Sequence, residues 1–302
     1  MKNSVLVLLG GAMASLLGLP SVESSHAQNS RPAGGELRER DDVRRNFRLA
    51  AGARVEVSSI RGTVEVETAD GDAAEVHVVR SARSRADLEQ FKVVVEQGPQ
   101  GLVVRGEQSQ RTTGAGLAPE VRHHVMLRLP RDVSLSVQSV SGDVRVGDIS
   151  GRLTVGSVSG SVNAGAVGGR VQVSGVSGGV SVGRAGQGAE VSSVSGGVSV
   201  GQAVGSLDVT GVSGELRAVV SQLGEGGVRV SSVSGRVELR FGGELNAELS
   251  TDNVSGELAL DVPNVAVRSR PNASALRAVI GRGGPAISIN GVSQGVRLAP
   301  AS

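Results

Sequence analysis

The residues best placed to act as a set are serines. Ser141, Ser159, Ser177, Ser195 and Ser213 recur every 18 residues, each after Val and before Gly. Hydroxyls at such an interval can serve as a corner ladder that caps backbone groups. They can also form a polar stripe along which an extended polymer or a partner protein lies. No Ser/His/Asp order stands out among so many serines, so nucleophilic catalysis is not indicated. Past an N-terminal leader the chain has three histidines: His77, His123 and His124. His77 lies between Val76 and Val78 and is expected to face solvent. His123 and His124 are adjacent, so on a strand they point to opposite faces, a poor geometry for one metal ion. Asp143, Asp148 and Asp208 occur sporadically, without the regular carboxylate that calcium-binding nonapeptide turns require. No Gly-Lys-Ser/Thr phosphate loop occurs, and the glycines follow a structural period instead. Asn253-Val254-Ser255 and Asn272-Ala273-Ser274 match the short glycan-acceptor triplet. Catalytic, cofactor and metal residues are therefore all expected to be none.

Composition narrows the classes further. The 302 residues include no Cys, so disulfide scaffolds, thiolate nucleophiles and Cys-ligated metals are excluded. Lys and Arg number 31 and Asp and Glu 29, a net charge of +2. That balance argues against a dedicated nucleic-acid binder. With no Trp, no Tyr and three Phe, the usual stacking platforms for bases and sugars are missing.

The elements that must carry the serines come from a repeat. From Leu135 onward, apolar residues fall at i, i+2 and i+5, and the pattern restarts nine residues later. Leu135-Val137-Val140, Val144-Val146-Ile149 and Leu153-Val155-Val158 are the first three units. The run continues to Leu207-Val209-Val212, and Val228-Val230-Val233 restores it after a less regular stretch. Residues i and i+2 share one face of a strand, and the i+5 residue turns inward after a bend. The glycine two places later is expected to supply a positive φ at the corner. Two nine-residue half-repeats make an 18-residue coil, and Val suits its stacked, pleated surface. A fixed period of this size marks a stacked-repeat fold, so the chain is expected to be all-β, a single-stranded β-helix or β-solenoid. A hexapeptide helix fails on register, because Arg152 stands six residues after Val146. A pectate-lyase-type helix needs longer coils.

The expected organisation has three parts. Residues 1–27 read as a signal peptide, with Lys2, an apolar run from Val5 to Leu19 and a Ser25-His26-Ala27 cleavage site. Residues 28–46 read as a polar linker of interleaved charges. Residues 47–302 read as one solenoid domain: an irregular part over 47–130, regular repeats over 131–262 and a terminal cap over 263–302. Within the irregular part, Val55-Val57-Ile60 and Val64-Val66-Ala69 repeat the triplet, with Gly62 at the corner. Ser84 and Asp87 fit a capped helical turn over 84–91, and 105–120 reads as a polar loop. The caps should keep the chain monomeric by covering strand edges.

The opening strands from Phe47 to Val66, the Leu127-Arg128-Leu129-Pro130 entry and the Ser141-Gly142-Asp143-Val144 type of unit resemble the bacterial putative-adhesin β-strand-repeat family. The resemblance covers about residues 47–295. It implies a right-handed single-stranded β-helix on exported bacterial proteins, and it carries no catalytic residues across. The functional expectation is an exported, non-catalytic solenoid at the cell surface or in the periplasm. It would present a repetitive surface for adhesion or cell-envelope interaction. The alternatives are a periplasmic sensory or scaffold module that partners another envelope protein and, more weakly, a polysaccharide-acting β-helix enzyme. No cofactor, no nucleic acid and no membrane insertion after signal cleavage are expected. The partner is expected to be an envelope protein or a surface polymer.

Overall fold

The computed structural model describes residues 37–108 and 121–301. The signal segment, the first part of the linker (28–36), most of the polar loop (109–120) and Ser302 lie outside the described residues. The described residues form 23 strands, hydrogen-bonded into one continuous sheet, and one short helix, Arg85–Gln90. Ser84 caps that helix by accepting from the Asp87 backbone N–H, as the sequence pattern predicts.

The repeat becomes two columns of parallel strands. In the first column Leu135, Leu153, Val171, Ala189 and Leu207 lie side by side in register. In the second, Val144, Val162, Val180, Val198 and Leu216 do the same. Each inward residue therefore meets its counterpart from the neighbouring coil. The side chains of all three triplet positions are buried, for example Leu153, Val155 and Val158. One cluster of Val, Leu, Ile and Ala runs the length of the stack. A coil of this size buries too little to fold alone, so neighbouring coils must supply the remaining apolar contacts and the ladder bonds.

The corners of the regular repeats work differently from the expectation. Gly62 (φ 143°) and Gly256 (φ 88°) carry the expected positive φ, but Gly142, Gly160, Gly178, Gly196 and Gly214 lie outside the left-handed region. The left-handed residue comes earlier, immediately before the third inward side chain. Ser59, Gly175, Ser193, Gly211, Ser232, Asn253 and Gly291 occupy that place, with φ between 52° and 68°. Glycine in Val-Ser-Gly has a different cause. A Cβ on Gly196 would stand 2.7 Å from the Gly178 backbone, and one on Gly214 would stand 2.6 Å from Gly196. Stacked corners approach too closely for any side chain there.

Both ends depart from chain order. At the N-terminal end, strand Ala53–Ser58 lies between Val133–Val140 and Gly101–Gln108. Strand Gly62–Ala69 lies likewise between Val144–Val146 and Val121–Pro130. The later strands Gly101–Gln108 and Val121–Pro130 are thus one layer further out than the earlier ones. At the other end, Ala286–Val292 inserts between Leu216–Val233 and Ala247–Val254. Val296–Pro300 inserts between Val237–Phe241 and Leu258–Leu260. The segment expected to be a terminal cap is therefore divided. Only the hairpin Val265–Asn272 with Ala275–Ile280 lies outermost, antiparallel to Ala247–Val254.

The leader also needs correction. Residues 39–48, most of which read as linker, form a ten-residue strand antiparallel to Ala73–Ala82. Its charges are compatible with strand structure because it is an outer strand, where charge discourages further pairing. Residues 105–108 likewise belong to strand Gly101–Gln108 rather than to a loop. The hairpin strand Val265–Asn272 carries Arg268, Arg270 and Pro271, which blunt that edge in the same way.

Candidate binding surface

The five predicted serines meet on one edge of the stack. Their backbone N–H groups form a ladder onto the preceding coil: Ser159 to Val140 O (3.0 Å), Ser177 to Val158 O (3.0 Å), Ser195 to Val176 O (3.0 Å) and Ser213 to Val194 O (2.9 Å). Ser141 donates to Ile60 O at 3.0 Å. All five side chains are exposed. The Ser177 hydroxyl donates to Ser159 O at 2.8 Å, so at this position it caps the neighbouring coil.

The ladder is longer than the 18-residue spacing reveals. Ser234 donates to Val212 O, Ser293 to Val233 O and Ser255 to Val292 O, at 2.9, 3.1 and 2.7 Å. Ser293 lies between Ser234 and Ser255 in space but after both in sequence. The signal was present as the Val292-Ser293 pair, but its place in the column depends on the inserted strand. The resulting band of Ser and Gly offers hydroxyls at regular intervals and no charge of its own.

The corner carboxylates are held by the fold. Asp143 Oδ1 accepts from the Ser161 N–H at 2.9 Å, and Asp148 Oδ1 from the Ala166 N–H at 2.7 Å. Asp208 pairs with Arg229 at 3.1 Å. Among the described residues no group of three or more His, Asp or Glu side chains could hold a metal ion.

The histidines have three distinct fates. His77 does not face open solvent, because the strand Glu39–Arg48 covers it and Asp42 lies 2.9 Å from its Nε2. That hydrogen bond, with the nearby charges of His77, Arg44 and Arg40, holds the Asp42 carboxyl below its usual range. His123 and His124 point to opposite faces, as expected. His124 lies 3.2 Å from Glu65, while His123 is 3% exposed. His123 Nδ1 accepts from the Arg61 N–H at 3.3 Å, which leaves the ring proton on Nε2. That Nε2 has no hydrogen-bond partner among the described residues. Burial, then the positive charges of Arg80 and Arg61, push the His123 pKa down to about 4.

Parallel strands stacked in register around a continuous Val core define a β-solenoid-like protein. The chain belongs to the Toastrack DUF4097 family, whose profile matches residues 53–296. The sequence resemblance to an adhesin-like strand-repeat family is thereby borne out. No curated protein matches the chain. Among solved structures, it is similar to one described as a putative adhesin from Bacteroides fragilis, at 8% identity and TM-score 0.40. That match covers 85% of this chain and 97% of the other. It is also similar to one described as a putative cell adhesion protein from Clostridium sporogenes, at 9% identity and TM-score 0.30, covering 87% and 100%. A third, described as a putative lipid binding protein from Parabacteroides distasonis, shares 10% identity at TM-score 0.30, covering 86% and 95%.

Proposed function

We propose that this protein is an exported, non-catalytic β-solenoid, wound right-handedly in 18-residue coils, that presents its repetitive surface for adhesion or cell-envelope interaction. The observation that carries the reading is the stack itself. Inward positions are spent on Val packing, corner carboxylates on capping neighbouring coils, and the exposed edge on an uncharged Ser-Gly band. What remains for function is an extended surface rather than a pocket of converging catalytic groups. No described helix is long and apolar enough to cross a membrane.

Protease treatment of intact host cells, beside a periplasmic control protein, tests where that surface is displayed. Digestion in intact cells supports the adhesive reading. Protection until the outer barrier is opened replaces it with a periplasmic module that partners another envelope protein. The serine band is tested by replacing Ser159, Ser177 and Ser195 with Ala together. A binding role predicts lost cell or matrix attachment with nearly unchanged thermal stability, whereas equal loss of both assigns the serines to the fold.

A further inference from the structure

The register of the first column brings three arginines together on the outer face of the sheet. Each precedes the first inward residue of its coil: Arg54 before Val55, Arg152 before Leu153 and Arg170 before Val171. Arg54 pairs with Ser134 across the ladder. Leu135 donates its N–H to Arg152 O at 2.8 Å, and Leu153 donates to Arg170 O at 3.0 Å. The order along the stack is therefore Arg54, Ser134, Arg152, Arg170. Gly101 borders the row beside Arg54, and Gly188 borders it beyond Arg170. At about 4.8 Å per layer, the row spans roughly 14 Å.

This row lines a surface cavity of about 480 Å³. Gly151 and Gly169 line its corner side, where the coils stack too closely for a side chain: a Cβ on Gly169 would stand 2.6 Å from Gly151 O. All three arginines are exposed. Several arginines elsewhere on the stack are matched by acids: Arg145 by Glu65 at 2.8 Å, Arg229 by Asp208 at 3.1 Å and Arg297 by Asp261 at 2.7 Å. In the row, the Arg54 and Arg152 guanidinium groups have no ion pair among the described residues. Arg170 reaches Glu190 only at 3.9 Å. Three fixed positive charges thus line an open groove with few internal partners.

We infer that this groove binds a linear acidic polysaccharide, with Arg54, Arg152 and Arg170 engaging successive carboxylate or sulfate groups. Guanidinium groups match such anions in a bidentate fork. The hydroxyls of Ser134, Ser136 and Thr154, which also line the groove, can bond to sugar hydroxyls. A nucleic acid fits less well, because the chain as a whole carries a net charge of only +2 and lacks the concentrated basic face of a dedicated nucleic-acid binder. A membrane surface also fits less well. Among the described residues Val267 is the one strongly exposed large apolar side chain, and it lies on the outermost hairpin at the opposite end of the stack. The proposal deepens the adhesive reading by naming a ligand class, and it rests on that reading for its biological setting.

Binding of the purified full chain to polygalacturonate at low salt, with neutral dextran, duplex DNA and anionic vesicles beside it, tests the inference. Polygalacturonate should bind, and added salt should weaken it. Arg152→Ala with Arg170→Ala should weaken binding by about tenfold or more. Arg268→Ala with Arg270→Ala removes the same charge from the hairpin and should change affinity less than twofold. Arg152→Lys with Arg170→Lys keeps the charge, guards against a folding artefact and should retain partial binding. No binding to polygalacturonate, equal loss in the hairpin variant, or binding only to DNA or vesicles overturns the inference. None of these outcomes alters the protease result on intact cells, so the ligand and the location fail separately.

Discussion

The middle of the stack and its two ends follow the same inward pattern but obey different assembly rules. From Val133 to Val212 each coil lies on the one before it in sequence, and every ladder is parallel. At the ends, chain order and spatial order separate. The early strand Ala53–Ser58 and the late strand Ala286–Val292 are each tucked one layer in. Antiparallel strands then finish each end. A repeat can specify how coils stack, but it cannot specify how the stack stops. Termination needs strands that present charge or proline outward, as Glu39–Arg48 and Val265–Asn272 do.

The strongest way to break this contrast is to remove residues 265–302. A peripheral cap would leave a folded but sticky remainder. Here the truncation also removes the strand joining Leu216–Val233 to Ala247–Val254, so gross misfolding is expected. Size-exclusion chromatography and circular dichroism will read it, and a soluble folded monomer would contradict the inserted position.

Acid should also separate the two regions. His123 is buried in the N-terminal layers, and its folded pKa of about 4 lies below its ordinary 6.5. The unfolded chain therefore takes up the proton first. The stabilisation is complete above about pH 6.5 and is lost as pH falls toward 4, by about 3 kcal/mol in all. His123→Asn can keep an acceptor for the Arg61 N–H and should flatten that slope. Hydrogen exchange at pH 5 should loosen strand Val121–Pro130 before Val171–Val176. Uniform loosening would break the distinction.

Within the middle, Gly196→Ala should cost about 1–3 kcal/mol, because the added methyl meets the Gly178 backbone at 2.7 Å. Denaturant melts will measure it. A neutral result would mean the corners are looser than their register indicates. The smallest effect is expected at the left-handed corner. Ser232 holds φ 55°, which costs a non-glycine residue about 1–2 kcal/mol, against about 0.5–1 kcal/mol for the added freedom of glycine. Ser232→Gly should therefore stabilise by about 0.5 kcal/mol, and Gly211→Ser should do the reverse.

These regions also mark how far the sequence could be read. The Leu135 to Val212 triplets gave register, burial and the serine column directly, because period-two alternation and a fixed coil length are local properties. The Val-Ser-Gly glycines from Gly142 to Gly214 fall where the period places them but do not supply a positive φ. Their cause is contact with a coil 18 residues away, which a turn rule does not see. The strand at Glu39–Arg48 is hidden because an outer strand that packs little more than Phe47 against the core carries charges like a linker. Ser293 and the arginine row depended on which coil lies beside which. Arg54 and Arg152 are 98 positions apart in the chain, and only the tucked strand Ala53–Ser58 brings them into one groove.

The out-of-order layering can be tested directly with paired cysteines, since the native chain has none. Ser231 lies opposite Asn290, and Asp252 lies on the far side of Asn290. Parallel neighbours about 4.8 Å apart are within disulfide reach, and second neighbours are not. Mild oxidation of the Ser231→Cys, Asn290→Cys protein should form an intramolecular disulfide, while the Ser231→Cys, Asp252→Cys protein should stay reduced. Efficient bridging in the second protein and not the first would put the coils in simple chain order and contradict the account.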